Sequence, residues 1–273
     1  MAKQGQIEKG RTSRIHDRVS AQFGAAAAAY TTSPVHSDPD ALRRVVELAT
    51  PRLTDRALDI ATGAGHTALA LAPRVAEVVA YDMTQPMLRE TARNAAARGL
   101  ANVVTQQGIA ESLPFADASF DIVTVRTAPH HFADVRAAIR EMARIAKSGA
   151  RIVIVDSTSP EDASLDRQWN HIEKLRDPSH VRNYTPSEWR SMLADTDMRI
   201  TFEQSSLATE NGRPMDFASW VRRMNTPPTA VEELTRLFRN ASPALVDALR
   251  IEIAADGTIL FCVPLITLAA VRS

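Results

Sequence analysis

The sequence contains a single cysteine, Cys262, among 273 residues. One thiol can neither close an internal disulfide nor furnish a thiolate metal site, so an intracellular, reducing compartment is expected and no metal centre. Net charge is missing as well, because 32 Lys and Arg balance 32 Asp and Glu. Without a summed basic field, nucleic acid is not the expected partner. No apolar run approaches the roughly 18 residues of a spanning helix, and the first 20 residues are polar and basic rather than signal-like. The expectation is a cytoplasmic protein with no membrane span. Lysine is almost absent, 4 against 28 Arg, and Ala reaches 44, which fits a GC-rich bacterial coding sequence better than a function. What is present is a core: 45% of the residues are hydrophobic, and a chain of this length can bury most of the surface it exposes when unfolded.

Residues 1–20 are expected as a mobile start leading into an Ala- and Arg-rich helix over Arg14–Ala29. Ser33-Pro34 and Asp38-Pro39-Asp40 punctuate the chain, and a helical pattern at Leu42, Val45, Val46 and Leu48 stops before Pro51. Apolar runs at 57–61, 77–81, 102–104, 120–125 and 151–155 then alternate with helical periods, as at 132–147, where Val135, Ala138, Ile139, Met142 and Ile145 share a face. Short strands apolar on both faces belong to a parallel sheet covered on both sides, so the fold class predicted is α/β, doubly wound and Rossmann-like. Beyond Asp156 the rhythm changes: a helix is expected over 186–194, a strand over 199–204, irregular and mostly helical segments over 157–186 and 207–249, and one or two strands within 259–271 after an Asp256-Gly257 turn.

The first strand runs into Asp59-Ile60-Ala61-Thr62-Gly63-Ala64-Gly65 immediately before a helix. Two glycines permit a tight turn and close approach of a ligand to free helix N–H groups. A turn with only a structural purpose would look the same. The second strand ends in Asp82, placed where dinucleotide folds set an acid on ribose hydroxyls, although capping of the following helix is its other possible use. Thr84 suits the N-cap of that helix, with Pro86 in its first turn. The pair describes an adenosine-type cofactor without choosing between NAD and another.

Five segments together, Asp59 to Gly65, Tyr81-Asp82-Met83, Ala110-Glu111-Ser112-Leu113-Pro114-Phe115, Phe120-Asp121-Ile122-Val123 and His130-His131-Phe132, resemble class I S-adenosylmethionine-dependent methyltransferases. The likeness is to the bacterial type 11 group, similar to the ubiquinone and menaquinone C-methyltransferases. It covers residues 20–157 strongly. Segments 179–189 and 220–224 look like an uncharacterised bacterial subgroup. The resemblance implies a seven-stranded, mostly parallel sheet with an antiparallel last strand, an N-terminal helical cap over 1–50, and a methyltransferase domain over 51–273 whose segments at about 157–186 and 207–249 form the acceptor pocket.

It also implies roles. Ala61, Gly63 and Gly65 would pass under the methionine part of S-adenosyl-L-methionine, with Asp59 steering its ammonium. Asp82 would hold the ribose and Met83 the adenine face; Ala110, beside Glu111, would offer its backbone N–H to adenine, and Arg126 and Thr127 a carbonyl to the amino-acid end. Tyr30 matches a position where relatives fold an N-terminal segment over the cofactor, with Gln22 and Phe23 beside it. Where relatives place an acid before the Ala-Glu pair, Ile109 stands here and cannot accept from the adenine amino group.

Methyl transfer is an in-line displacement that needs positioning first, and a base only for protic acceptors. His130 and His131, after the fourth strand, are the candidate bases, each with a local structural alternative. His180 and Tyr184 are candidates for the acceptor pocket with Phe23, or else packed loop anchors. Arg126 could meet an acidic acceptor or sit in a salt bridge. Trp169, Trp189 and Trp220 could wall a planar acceptor or fill core. The expected activity is methylation of C, O or N of a small molecule. Two rivals remain: a protein that binds the cofactor without methylating, and an NAD(P)-dependent reductase, against which no Tyr-x-x-x-Lys pair occurs.

Overall fold

The computed structural model describes residues 2–31, 33–209 and 213–273. Helices α1 (Ala2–Thr31), α2 (Pro34–Ser37) and α3 (Pro39–Ala49) come first. The expected helix from Arg14 thus begins at Ala2, since nothing between carries a proline to stop it. Strands and helices then alternate: β1 (Arg56–Ile60), α4 (His66–Leu71), β2 (Glu77–Asp82), α5 (Gln85–Ala97), β3 (Val103–Gln107), β4 (Phe120–Arg126), α6 (Val135–Ile145) and β5 (Ala146–Ser157). The second half holds α7 (Ala163–Arg176), α8 (Pro186–Ala194), β6 (Met198–Ala208), β7 (Met215–Asp216), α9 (Phe217–Arg223), α10 (Pro228–Arg239), α11 (Pro243–Leu249), β8 (Glu252–Ile253), β9 (Ile259–Phe261) and β10 (Val263–Arg272).

Seven strands form one sheet in the order β3-β2-β1-β4-β5-β10-β6. The first five are mutually parallel, and β10 runs antiparallel to both its neighbours. The period of two along each strand divides the core. Ala57, Val78, Ala80, Ile122, Val153 and Val155 pack on one face, while Leu58, Ile60, Val79, Val123, Ile152 and Ile154 pack on the other. Each face therefore needs its own helices, as the double winding predicts.

The C-terminal half is less irregular than its sequence suggests. A small antiparallel sheet, β7-β9-β8, and helices α7, α9, α10 and α11 enclose a separate core around Trp169, Trp220, Phe238 and Phe261. All three tryptophans are fully buried, at 0–1% exposure, with no hydrogen-bond partner for their indole N–H among the described residues. Trp169 and Trp189 pack in the core and line neither of the two cavities described below, whereas Trp220 borders one of them. Among the described residues, no helix is long and apolar enough to cross a membrane.

One glycine shows how tightly the sheet edge is built. A Cβ on Gly108, just past β3, would lie 1.9 Å from the Tyr81 hydroxyl, which donates to the Ile109 carbonyl at 3.2 Å. Gly108→Ala should therefore cost about 1–3 kcal/mol of folding stability by overpacking. Urea unfolding checks it, and an unchanged midpoint would mean that Tyr81 swings aside freely.

Candidate functional site

The order of strands reverses between β1 and β4, and the carboxyl ends of β1, β2 and β4 open onto a cavity of about 950 Å3, its solvent-filled mouth included. This is the place where doubly wound sheets bind ligands. The loop after β1 shapes it. Gly65, with φ +88°, is the N-cap of α4, and a Cβ there would lie 2.7 Å from Thr91 Cγ2, so only glycine fits. Gly65 itself does not line the cavity; Ala61, Thr62, Gly63 and Ala64 do. A Cβ on Gly63 would meet no atom within 4 Å, because the space beside it belongs to the cavity.

Asp82 ties the loop to the next turn. Its carboxylate accepts from the Gly63 N–H at 2.9 Å and from the Thr84 N–H at 2.8 Å. Burial raises its pKa, an effect these bonds oppose. Each oxygen keeps a lone pair, so two adjacent hydroxyls could still be accepted. Thr84 does occupy the N-cap of α5, but its side chain caps nothing; it is buried at the cavity wall, and Asp82 holds the backbone in its place. Asp59 is more fully engaged, accepting from Thr62 Oγ1 at 2.6 Å, Thr124 Oγ1 at 2.7 Å and the Ala68 N–H at 3.1 Å. Burial lifts its pKa to about 6 despite these donors. Asp59 thus braces the loop from beneath.

Met83, Met87, Ile109 and Ala110 give the same cavity an apolar lining, and Asp82 brings an acceptor group to it. A glycine-floored cradle, an apolar lining and a buried carboxylate together fit an adenosine-type group. Glu111 borders the same cavity but is tied to its rim, accepting from the N–H groups of Ala133 at 2.8 Å and Asp134 at 3.4 Å.

Helix α1 roofs the cavity with Val19, Phe23 and Tyr30. It lies along α5, with His16 Nε2 3.5 Å from Glu111 and Gln22 donating to the Met224 carbonyl at 3.1 Å. His66 bonds the Tyr30 carbonyl at 3.0 Å, so it orders the roof. Burial holds the Tyr30 phenol up at about 12.

A second cavity, about 1610 Å3 including open solvent, adjoins the first. Phe23, Tyr30, His36, Arg126, Thr127 and His131 border both. The second continues to Val155 and Ser157 of β5, Glu173 and Arg176 of α7, Met215, and Trp220 and Arg223 of α9. The paired histidines behave differently here. His130 Nδ1 lies 2.6 Å from Asp156 Oδ1, a carboxylate with no exposed surface. Burial pushes the His130 pKa down, but the Asp156 charge and hydrogen bond outweigh it and raise the value above 6.5. With Nδ1 committed to Asp156, Nε2 is the ring atom left for a ligand. His131 has its pKa pushed down by burial and by the charge of His130, with Asp177 at 3.8 Å opposing both. It packs edge-on against Phe23 at 4.8 Å, in the shared wall.

Two expected pocket residues do not reach either cavity. His180 is buried behind His130, its Nε2 3.3 Å from Asn170 Oδ1 and its pKa driven down by burial and the neighbouring imidazoles. Tyr184 stacks edge-on against Trp189, and its carbonyl accepts from Thr158 and Ser159. Both are packed anchors of the 177–185 loop. Arg126 is in no salt bridge among the described residues; its Nε donates to Thr67 Oγ1 at 3.1 Å and its Nη2 to the His36 carbonyl at 2.5 Å. Asp156, Thr62 and His36 escaped sequence reasoning. Only Asp156 left a trace, as an acid closing an apolar strand in the manner of Asp82.

The model of the family described as "Methyltransferase domain" matches residues 58–154. The chain is 38% identical to the uncharacterized methyltransferase YcgJ of Bacillus subtilis, over 92% of this chain and 97% of that one. The crystal structure of YcgJ superposes with a TM-score of 0.79 over 85% of this chain and 98% of that chain. A demethylmenaquinone methyltransferase of Thermus thermophilus is 42% identical over 43% of this chain and 54% of its own length.

Proposed function

The chain belongs to the methyltransferase-domain family, within the class I S-adenosylmethionine-dependent methyltransferases, and from that premise we propose how its two cavities divide the work. The first takes S-adenosylmethionine and the second takes a small-molecule acceptor, whose C, O or N is methylated where they meet. The observation that carries this reading is the adjacency itself: one cavity has adenosine-type fittings, the other has a carboxylate-backed histidine, and six residues border both.

When bound, the cofactor supplies an electrophilic methyl group on its sulfonium. Asp82 accepts the ribose hydroxyls while keeping its bonds to Gly63 and Thr84. Met83 packs on adenine and the Ala110 N–H serves its ring edge. Ala61 and Gly63 give way to the methionine part, Gly65 holds the turn that lets them, and Asp59 keeps the loop from collapsing. Backbone carbonyls at Arg126 and Thr127 receive the ammonium. The α1 roof excludes water, Glu111 anchoring it through His16 and Tyr30 closing its end. Residues 1–50 act as cap, while 157–186 and 207–249 shape the acceptor chamber through Glu173, Arg176, Met215 and Trp220.

In the second chamber His130 Nε2 takes the proton from a protic acceptor, and Asp156 holds the imidazole in the required tautomer and stabilises its cationic form. His131, wedged against Phe23, positions the acceptor. Calorimetric titration with S-adenosylmethionine, S-adenosylhomocysteine and NADPH tests the cofactor assignment: the first two should bind, and binding of NADPH alone would sink it. A methyl-release assay over quinols, phenols and amines then tests turnover, and silence across the panel with tight cofactor binding would favour a non-methylating binder.

A further inference from the structure

Arg126 ends β4 at the junction of the two cavities and borders both. The residue is partly buried, which lowers its pKa, although Asp59 and Asp38 support the charge from a distance. Both of its hydrogen bonds go to neutral acceptors, the Thr67 hydroxyl and the His36 carbonyl. Of five guanidinium N–H groups, two are thereby used. Among the described residues, no carboxylate lies within ion-pair distance of it.

The acids bordering the second chamber are committed elsewhere. Glu173 pairs with Arg176 at 2.8 Å, Asp177 accepts from the N–H and hydroxyl of Ser179 at 2.8 and 2.6 Å, and Asp38 accepts from the Asp40 N–H at 3.0 Å. His36 and His131, which border both cavities, have their pKa values pushed down, chiefly by burial, and supply no anion. Arg126 is thus a partly buried cation that borders both cavities with no carboxylate paired to it among the described residues, and withdrawing a charge from water without a counter-charge is costly. Val155, Leu207, Met215, Met224, Val263 and Leu265 supply apolar wall to a chamber whose lining also holds Arg44, Arg176 and Arg223.

We propose that Arg126 is an anion receptor for the methyl acceptor: the acceptor is an amphiphilic molecule whose carboxylate or other anionic oxygen docks on this guanidinium while its apolar body fills the second chamber. This rests on the two-cavity reading above. The other anion that could reach Arg126 is the carboxylate of the cofactor, which the test separates.

Protein saturated with S-adenosylhomocysteine is titrated calorimetrically with 2-naphthoate and with neutral 2-naphthamide. The carboxylate should bind at least ~10-fold tighter, as a charge-assisted contact to this guanidinium requires. Arg126→Met, which leaves the backbone carbonyl in place, should abolish the preference, and Arg126→Lys should keep part of it. Equal binding of the two probes, or binding of neither, overturns the proposal. It is equally overturned if Arg126→Met weakens S-adenosylhomocysteine about tenfold while leaving 5′-methylthioadenosine, which lacks the amino-acid part, unaffected; the cofactor carboxylate would then be the anion. Failure of S-adenosylhomocysteine to bind wild-type protein would instead refute the two-cavity reading itself.

Discussion

Asp82→Ala is expected to weaken S-adenosylhomocysteine binding by roughly 10²- to 10⁴-fold, because two charge-assisted hydrogen bonds to the ribose, worth roughly 1.5–3 kcal/mol each, disappear together. The loss reaches further than the ligand. The same carboxylate receives the Gly63 and Thr84 N–H groups, so its removal also frees the glycine loop and the start of α5. Asp82→Asn separates the two contributions, since the amide retains one acceptor for a backbone donor but offers N–H groups where hydroxyls would donate. It should bind more weakly than wild type and more tightly than Asp82→Ala, with a thermal midpoint nearer to wild type. Calorimetric titration of both variants, alongside thermal unfolding followed by circular dichroism, measures this. Full affinity in Asp82→Ala would remove the carboxylate from the cofactor site.

His130→Ala should lower kcat by about 10²- to 10⁴-fold with a protic acceptor, the range for loss of a positioned base, while cofactor affinity stays within threefold. The pH profile distinguishes catalysis from mere packing. Only the neutral imidazole accepts a proton, and Asp156 raises the His130 pKa against the opposing effect of burial. Activity in wild type should therefore fall as pH drops through a value above 6.5. In Asp156→Asn the charge that raises the pKa is gone and burial dominates, so the acid limb should move to lower pH even as the maximal rate declines. A structural role alone would lower the rate without moving that limb. Turnover unchanged in His130→Ala would leave proximity as the whole of catalysis.

The half of the site proposed for the cofactor is legible in sequence because its determinants are local. Asp59, Gly63, Gly65 and Asp82 lie within two consecutive strand-turn-helix units, and strand period and turn chemistry place each at a carboxyl end without knowledge of the rest. Even there, contacts surprised: Gly65 answers to the Thr91 side chain rather than to the cavity, and Thr84 leaves its helix to be held by Asp82. The half proposed for the acceptor is assembled from residues far apart in the chain. Asp156 meets His130 only because β5 lies beside β4, and α7, α9 and β10 bring Arg176, Trp220 and Leu265 to one chamber. His180 and Tyr184 looked suitable by type and position, yet His180 is buried and the partly buried Tyr184 packs edge-on against Trp189, so neither borders the two cavities.

The sequence by itself determined the alternation of strand and helix, the doubly wound sheet, the edge at which such sheets bind ligands and the chemistry of the residues placed there, all of which follow from periodicities and spacings of a few residues. Only the tertiary structure decided which histidine is backed by a carboxylate, which tryptophans are core, and that Arg126 stands where the cavities meet without a counter-charge among the described residues. Those outcomes depend on which distant side chains share a desolvated space, and both pKa and the cost of an unpaired charge are set there rather than along the chain.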